Sequence, residues 1–92
     1  MSKTLKEALD YLEVQPDIAA YLRKRGFRGF QNEASACPVA YYLKACGLYE
    51  PTIFARAFAG RSGERDQETT PNRVYEFILA FDNNEFPELI AS

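Results

Sequence analysis

The chain has 92 residues and a formal net charge of −2, with 47% hydrophobic and 26% charged residues, which is a globular composition. That length supports one domain, residues 1–92. The chain contains no histidine, which excludes Cys-His and Ser-His-Asp catalytic sets and the commonest transition-metal ligand. Two cysteines and the lack of a run of about 18 apolar residues argue against a disulfide scaffold and a membrane span. We expect a cytoplasmic protein without metal, cofactor or membrane contact, whose oligomeric state composition leaves open.

Two helices are predicted in the first third of the chain. Thr4 and Glu7 have the spacing of a capping box, and apolar residues with helical period follow them until Pro16. A short second helix is predicted from Asp17 to Gly26, because glycine adopts the left-handed conformation that ends many helices. The last turn of this helix is basic, which suits the negative end of the helix dipole.

The third helix has clear predicted boundaries. Residues 27–34 carry glycine and no helical stripe, so we interpret them as a loop or a short strand around 27–31. Pro38 fits the first helical position and Gly47 the end. Tyr41 and Lys44 are predicted on the face opposite to the apolar stripe, which consists of Val39, Tyr42, Leu43 and Cys46.

The segment 49–60 decides the fold class. Its β-branched and aromatic residues favour a strand with Phe54, Arg56 and Phe58 on one face, whereas its alanines would equally suit two helical turns. We predict a strand here. Residues 61–70 mix charges of both signs with glycine and threonine, which predicts a mobile surface loop.

A fourth helix is predicted after this loop, with Thr70 as its cap and Pro71 at its first position. Its apolar tail should fold back onto the core. The apolar stripe of the helix is Val74, Phe77, Ile78 and Phe81, and the apolar residues of the tail are Phe86, Pro87, Leu89 and Ile90. The chain is therefore predicted to be an α+β domain of four helices with a two- or three-stranded antiparallel sheet, and an all-α bundle is the alternative.

Two stretches carry a resemblance. The run Cys-Pro-Val-Ala-Tyr-Tyr-Leu-Lys at 37–44 and the pattern Pro71-x-x-Val74-x-x-Phe77-Ile78-x-x-Phe81-Asp82 resemble a family of small bacterial and phage proteins. The resemblance covers roughly residues 35–90 and implies an α+β domain in which the Cys-Pro helix leads into a strand or hairpin. It carries over no catalytic or binding residue. In format, the small acidic chain is also similar to phage inhibitors of host defence complexes, anti-CRISPR proteins among them.

Cys37 is the one residue with reactive potential, since a helix N-terminus favours a thiolate. No histidine exists to serve as its base, and Cys46 lies too far along the same helix to resolve a disulfide. Roles as a cap and as a small buried hydrophobe suit the two cysteines better than a thiol-transfer or redox enzyme.

The sharpest local feature is a basic patch, which comprises Arg23, Lys24, Arg25 and Arg28. Residues 23–28 carry a charge of +4, whereas residues 1–22 carry −2 and residues 29–92 carry −4. A purely structural interpretation of the patch is that its cations are solvated and complement the negative end of the helix dipole, while neighbouring Phe27 and Phe30 lie in the core.

The functional prediction is a non-enzymatic interaction module of the phage-inhibitor type, with no catalytic residue. It would bind a larger protein or ribonucleoprotein complex, and its predicted contacts are Arg23, Lys24, Arg25, Arg28 and Tyr41. The alternative is a small nucleic-acid-binding protein that uses the same patch on phosphates and bases.

Overall fold

The computed structural model describes residues 3–61 and 63–91, which form four α-helices and three strands. The elements are α1 (Leu5–Glu13), α2 (Ile18–Lys24), α3 (Pro38–Ala45), β1 (Tyr49–Ile53), β2 (Arg56–Arg61), β3 (Glu64–Thr69) and α4 (Asn72–Asp82), followed by a 3-10 helix (Pro87–Leu89). The α+β class is confirmed, and the all-α alternative is wrong.

The three strands form an antiparallel sheet in the order β1-β2-β3. The prediction of strand and not helix over 49–60 is confirmed, but bends at residues 54 and 55 divide the segment into β1 and β2. Ala57 and Ala59 face the core. Arg56 and Phe58 lie on the other face, but Phe54 lies in the turn after β1 and does not extend that face. The register between β1 and β2 is irregular between Tyr49 and Thr52.

The predicted loop over 61–70 is wrong, because Glu64–Thr69 pairs with the whole of β2. The hairpin turns at Gly63, whose φ of 84° suits glycine. The strand shows no apolar alternation because even its more buried side chains, Asp66 and Glu68, are acidic. Its stability comes from the ladder and from cross-strand contacts such as the Arg56 guanidinium with Gln67, at 3.2 Å.

The first three helices begin and end at the residues that the sequence predicts to within one or two positions. Thr4 and Glu7 form the capping box of α1, and Asp17 caps α2. Gly47 follows α3 with a φ of 92°. Between α3 and α1, the buried hydroxyl of Tyr42 donates to the carbonyl of Ala8 at 2.7 Å. The largest fully buried side chains include Leu5, Leu9, Leu12, Leu22, Leu43, Leu48, Ile53, Phe81 and Leu89.

The N-terminus of α4 is capped from α1 and not by Thr70, so that prediction is wrong. Pro71 occupies the N-cap position, and the hydroxyl of Thr70 is buried without a hydrogen bond to the described residues. The carboxylate of Glu13 accepts from the N–H groups of Arg73 and Val74, at 3.1 and 2.9 Å. The Arg73 guanidinium donates back to carbonyls at the end of α1, including that of Glu13. The C-terminus of α1 and the N-terminus of α4 therefore satisfy each other's free backbone hydrogen-bonding groups.

The C-terminal tail folds back, as predicted. Leu89 is fully buried, and Gly29 forms a parallel bridge with Ile90. The amide of Gly29 donates to the carbonyl of Leu89 at 2.9 Å, and its carbonyl accepts from the amide of Ala91 at 2.7 Å. Residues 27–34 are thus a loop with one bridge and no strand.

Candidate functional site

The basic patch lies at the end of α2 and in the loop after it, with all four side chains exposed. Arg23 is 3.5 Å from the carboxylate of Glu88, and both side chains of this ion pair are solvated. The guanidinium of Arg25 lies 5.3 Å from the ring centroid of Tyr21. Lys24 and Arg28 have no ion-pair or ring partner within residues 3–61 and 63–91. These two cations are therefore the members of the patch best placed for a partner.

An open cavity of about 410 Å³ lies beside Arg28. It is lined by Gly26, Phe27, Arg28, Tyr41 and Ala91. The structure thus brings Arg28 and Tyr41 to one site. The other three cations of the patch lie outside the lining, Arg23 and Lys24 on α2 and Arg25 directly after it. An exposed cation beside an apolar wall is a suitable receptor for an acidic segment that carries one apolar side chain.

Tyr41 is flanked by a second cation that the sequence-based site prediction omitted. The ammonium of Lys44 lies 5.6 Å from the centroid of the Tyr41 ring. The spacing along α3 already placed both residues on one face and could have identified Lys44. Ala91 could not be found in this way, because it reaches the cavity only through the bridge between Gly29 and Ile90.

A row of edge-to-face aromatic rings packs next to the site. Tyr21 contacts Tyr11 and Tyr42, with centroids 6.0 and 6.1 Å apart, and Tyr42 contacts Phe27 at 5.9 Å. These contacts link α1, α2, α3 and the loop that carries Arg28. Phe27 is therefore half-buried as a support, while Phe30 is 46% exposed and does not belong to the core.

The two cysteines are free thiols. Burial raises the pKa of Cys37, and the nearby backbone N–H groups of Ala40 and Val39 oppose this effect, so the thiol is neutral at pH 7. Cys37 holds the N-cap position of α3, but its side chain makes no capping hydrogen bond. Burial also raises the pKa of Cys46. Within the described part of the chain, no three Cys, Asp or Glu residues gather as a metal site.

No protein-family model, curated protein or solved structure matches this chain. Over the ranges that the structure describes, no helix combines the length and apolar character that a bilayer span requires. The basic patch and its cavity are therefore the features from which a function is inferred.

Proposed function

We propose that this protein is a non-enzymatic interaction module that binds an acidic surface of a larger protein or ribonucleoprotein complex. The observation that carries the proposal is Arg28, an exposed cation beside the apolar cavity that it shares with Tyr41. The similarity in format to phage inhibitors makes host defence complexes the first class of partner to test.

The chemistry of the cavity favours a protein segment. Arginine and aromatic side chains are the residue types that most often anchor protein interfaces. Phe27 and Tyr41 supply an apolar surface that an aliphatic or aromatic side chain can cover, while Arg28 can pair with the acidic neighbours of that side chain. Lys24, on α2 outside the cavity, is a second exposed cation without an ion pair among the described residues. Burial of the apolar anchor would strengthen the surrounding charge pairs by excluding water.

Free nucleic acid is the second candidate, because the same cations can bind phosphates. Base stacking on Tyr41 would have to use the ring face that the ammonium of Lys44 leaves open. A nucleic-acid binder that neutralises about four phosphates should show a slope of log affinity against log salt of about −3 to −4. We expect no such binding to bare DNA or RNA.

The test compares two double variants of equal charge change. Lys24→Glu with Arg28→Glu alters the two cations that lack partners in the described structure. Lys6→Glu with Arg65→Glu changes the net charge equally at exposed positions outside the patch. The wild-type protein and both variants are used to capture partners from lysate of the source organism, with and without nuclease, followed by mass spectrometry.

We expect one protein or ribonucleoprotein to be retained by the wild type and by the Lys6/Arg65 variant and lost with the Lys24/Arg28 variant. Circular dichroism should show that all three proteins are folded, because the altered side chains are exposed. Retention by the Lys24/Arg28 variant would refute the proposal. Capture that disappears with nuclease, together with the salt slope on bare nucleic acid, would support the second candidate instead.

A further inference from the structure

A second crevice lies between the loop before α3, the end of β1 and the C-terminal half of α4. Its volume is about 360 Å³, within the range of small-ligand pockets. It is lined by Asn32, Glu33, Ala34, Cys37, Ile53, Phe54, Ile78 and Asp82. This lining shares no residue with the basic patch or its cavity, so the two sites are tested separately.

Hydrogen bonds donated by two backbone amides fix the walls of the crevice. The amide of Asn32 donates to Oδ1 of Asp82 at 2.9 Å, which ties the loop to α4. The amide of Ile53 donates to the carbonyl of Ala34 at 3.0 Å, which ties the same loop to β1. Asn32 holds a φ of 59°, a conformation that asparagine tolerates better than most residues. The crevice is therefore formed before any ligand binds.

Its floor is apolar and one side of its mouth is aromatic. Phe54 is 45% exposed at the mouth, and its ring lies edge-to-face against Tyr75 of α4, with centroids 5.3 Å apart. The floor consists of the buried residues Cys37, Ile53 and Ile78. A ligand that enters past Phe54 would exchange water for hydrocarbon contacts.

The charged groups that line the crevice are both carboxylates, those of Glu33 and Asp82. The segments that supply the walls contain no lysine or arginine at all, namely residues 29–43, 45–55 and 74–92. The side chain of Glu33 and Oδ2 of Asp82 have no ion-pair partner in the described ranges. The crevice thus combines an apolar floor with uncompensated negative charge.

We propose that this crevice binds an aliphatic cation, an alkylammonium or alkylguanidinium group whose stem lies on the floor and whose charge faces Glu33 and Asp82. Two carboxylates above hydrocarbon do not provide the six or more oxygens that calcium takes. An anion of the same length would be repelled. A free amine and a lysine or arginine side chain of a protein share this chemistry, and the test separates these sources.

The test is a series of ¹⁵N-resolved NMR titrations with probes of one chain length: hexylammonium, 1-hexanol and hexanoate. Hexylammonium should shift the amides of Asn32, Ala34, Ile53 and Ile78, whereas hexanoate should shift them far less. Nα-acetyl-lysine amide serves as the protein-like probe. Binding of hexylammonium without binding of Nα-acetyl-lysine amide would identify a small amine as the ligand. Binding of both would show that the crevice also accepts a lysine side chain of a protein.

Variants test the role of the carboxylates. Asp82→Asn removes the charge but keeps an oxygen that can accept from the amide of Asn32, so the loop stays in place. We combine it with Glu33→Gln to remove both charges of the crevice. The combination should weaken hexylammonium binding by about four- to twenty-five-fold, or about two- to fivefold per carboxylate, and leave 1-hexanol binding unchanged. Glu76→Gln with Glu85→Gln removes equal charge outside the crevice and should have little effect. Equal shifts with hexanoate, shifts elsewhere only, or equal weakening by both pairs would overturn the proposal.

Discussion

Gly29 leaves no room for a side chain. A Cβ atom built there would lie 2.3 Å from the carbonyl oxygen of Ala36, well inside any real contact distance. The requirement is steric, because backbone at the start of α3 crosses directly over Gly29. The same residue bridges to Ile90 and so holds the tail that lines the cavity next to Arg28.

We expect Gly29→Ala to lower the free energy of unfolding by about 2 kcal/mol, the usual cost of forcing extra atoms into a close-packed site. Gly60→Ala is the control, because its added Cβ would meet its neighbours at 3.5 Å or more. Urea titration measures both changes. Equal losses in the two variants would show that the approach of Ala36 to Gly29 is not what demands glycine.

The buried thiol of Cys37 makes the free energy of unfolding depend on pH in the alkaline range. Its pKa in the folded chain lies above the ordinary value of 9.0, chiefly because of burial. Above about pH 9 the unfolded chain therefore loses this proton before the folded chain does, and folding stability falls as pH rises. Below that pH the effect is absent.

Cys37→Ala removes this titration. We expect the stability advantage of the wild type over the variant to shrink as pH rises from about 8 to 10, measured by urea titration at each pH. A constant or growing advantage over that range would contradict the raised pKa.

At the scale of elements, the α1–α4 contact shows a cap that crosses the fold. Glu13 accepts with both carboxylate oxygens from the first amides of α4, and Arg73 donates in return to carbonyls at the end of α1 and just after it. Local sequence offered Thr70 as the cap. A carboxylate about 60 residues away in sequence is favoured by the helix dipole and satisfies two amides at once.

Glu13→Ala should therefore lower the free energy of unfolding by about 1–2 kcal/mol, the usual cost of a lost N-cap. Glu76→Ala, at an exposed position on the same helix, should change it by less than about 0.5 kcal/mol. Thermal unfolding of both variants gives the comparison. A loss at Glu76 as large as that at Glu13 would refute the capping role.

The elements that sequence predicted well are those with local signals. The capping box at Thr4, the glycine after α3 and the apolar stripe of α4 depend on residues a few positions apart. β3 was missed because its pairing with β2 is set across the hairpin and its own side chains are polar. An edge strand of this kind needs charge on its surface to resist pairing with other chains, so its polarity is expected once its place is known.

In the whole molecule, the two candidate sites also differ between features with a local sequence signal and features that only the fold creates. The basic patch was predictable because four cations lie within six residues of sequence. The cavity next to Arg28 and the crevice near Asp82 are each built from segments distant in sequence, so no local sequence pattern predicts them. The charge of −2 conceals this arrangement, in which a cation beside one cavity and two carboxylates in a separate crevice belong to different parts of one small domain.

The proposed binding of a partner at the basic patch can be checked by calorimetry, which gives the dissociation constant for the captured partner with the wild type and with the two charge-matched double variants. We predict that Lys24→Glu with Arg28→Glu weakens binding about 100-fold, or about 2.7 kcal/mol. Lys6→Glu with Arg65→Glu should weaken it less than about threefold. Equal weakening by both pairs would show that only net charge matters and would contradict the account.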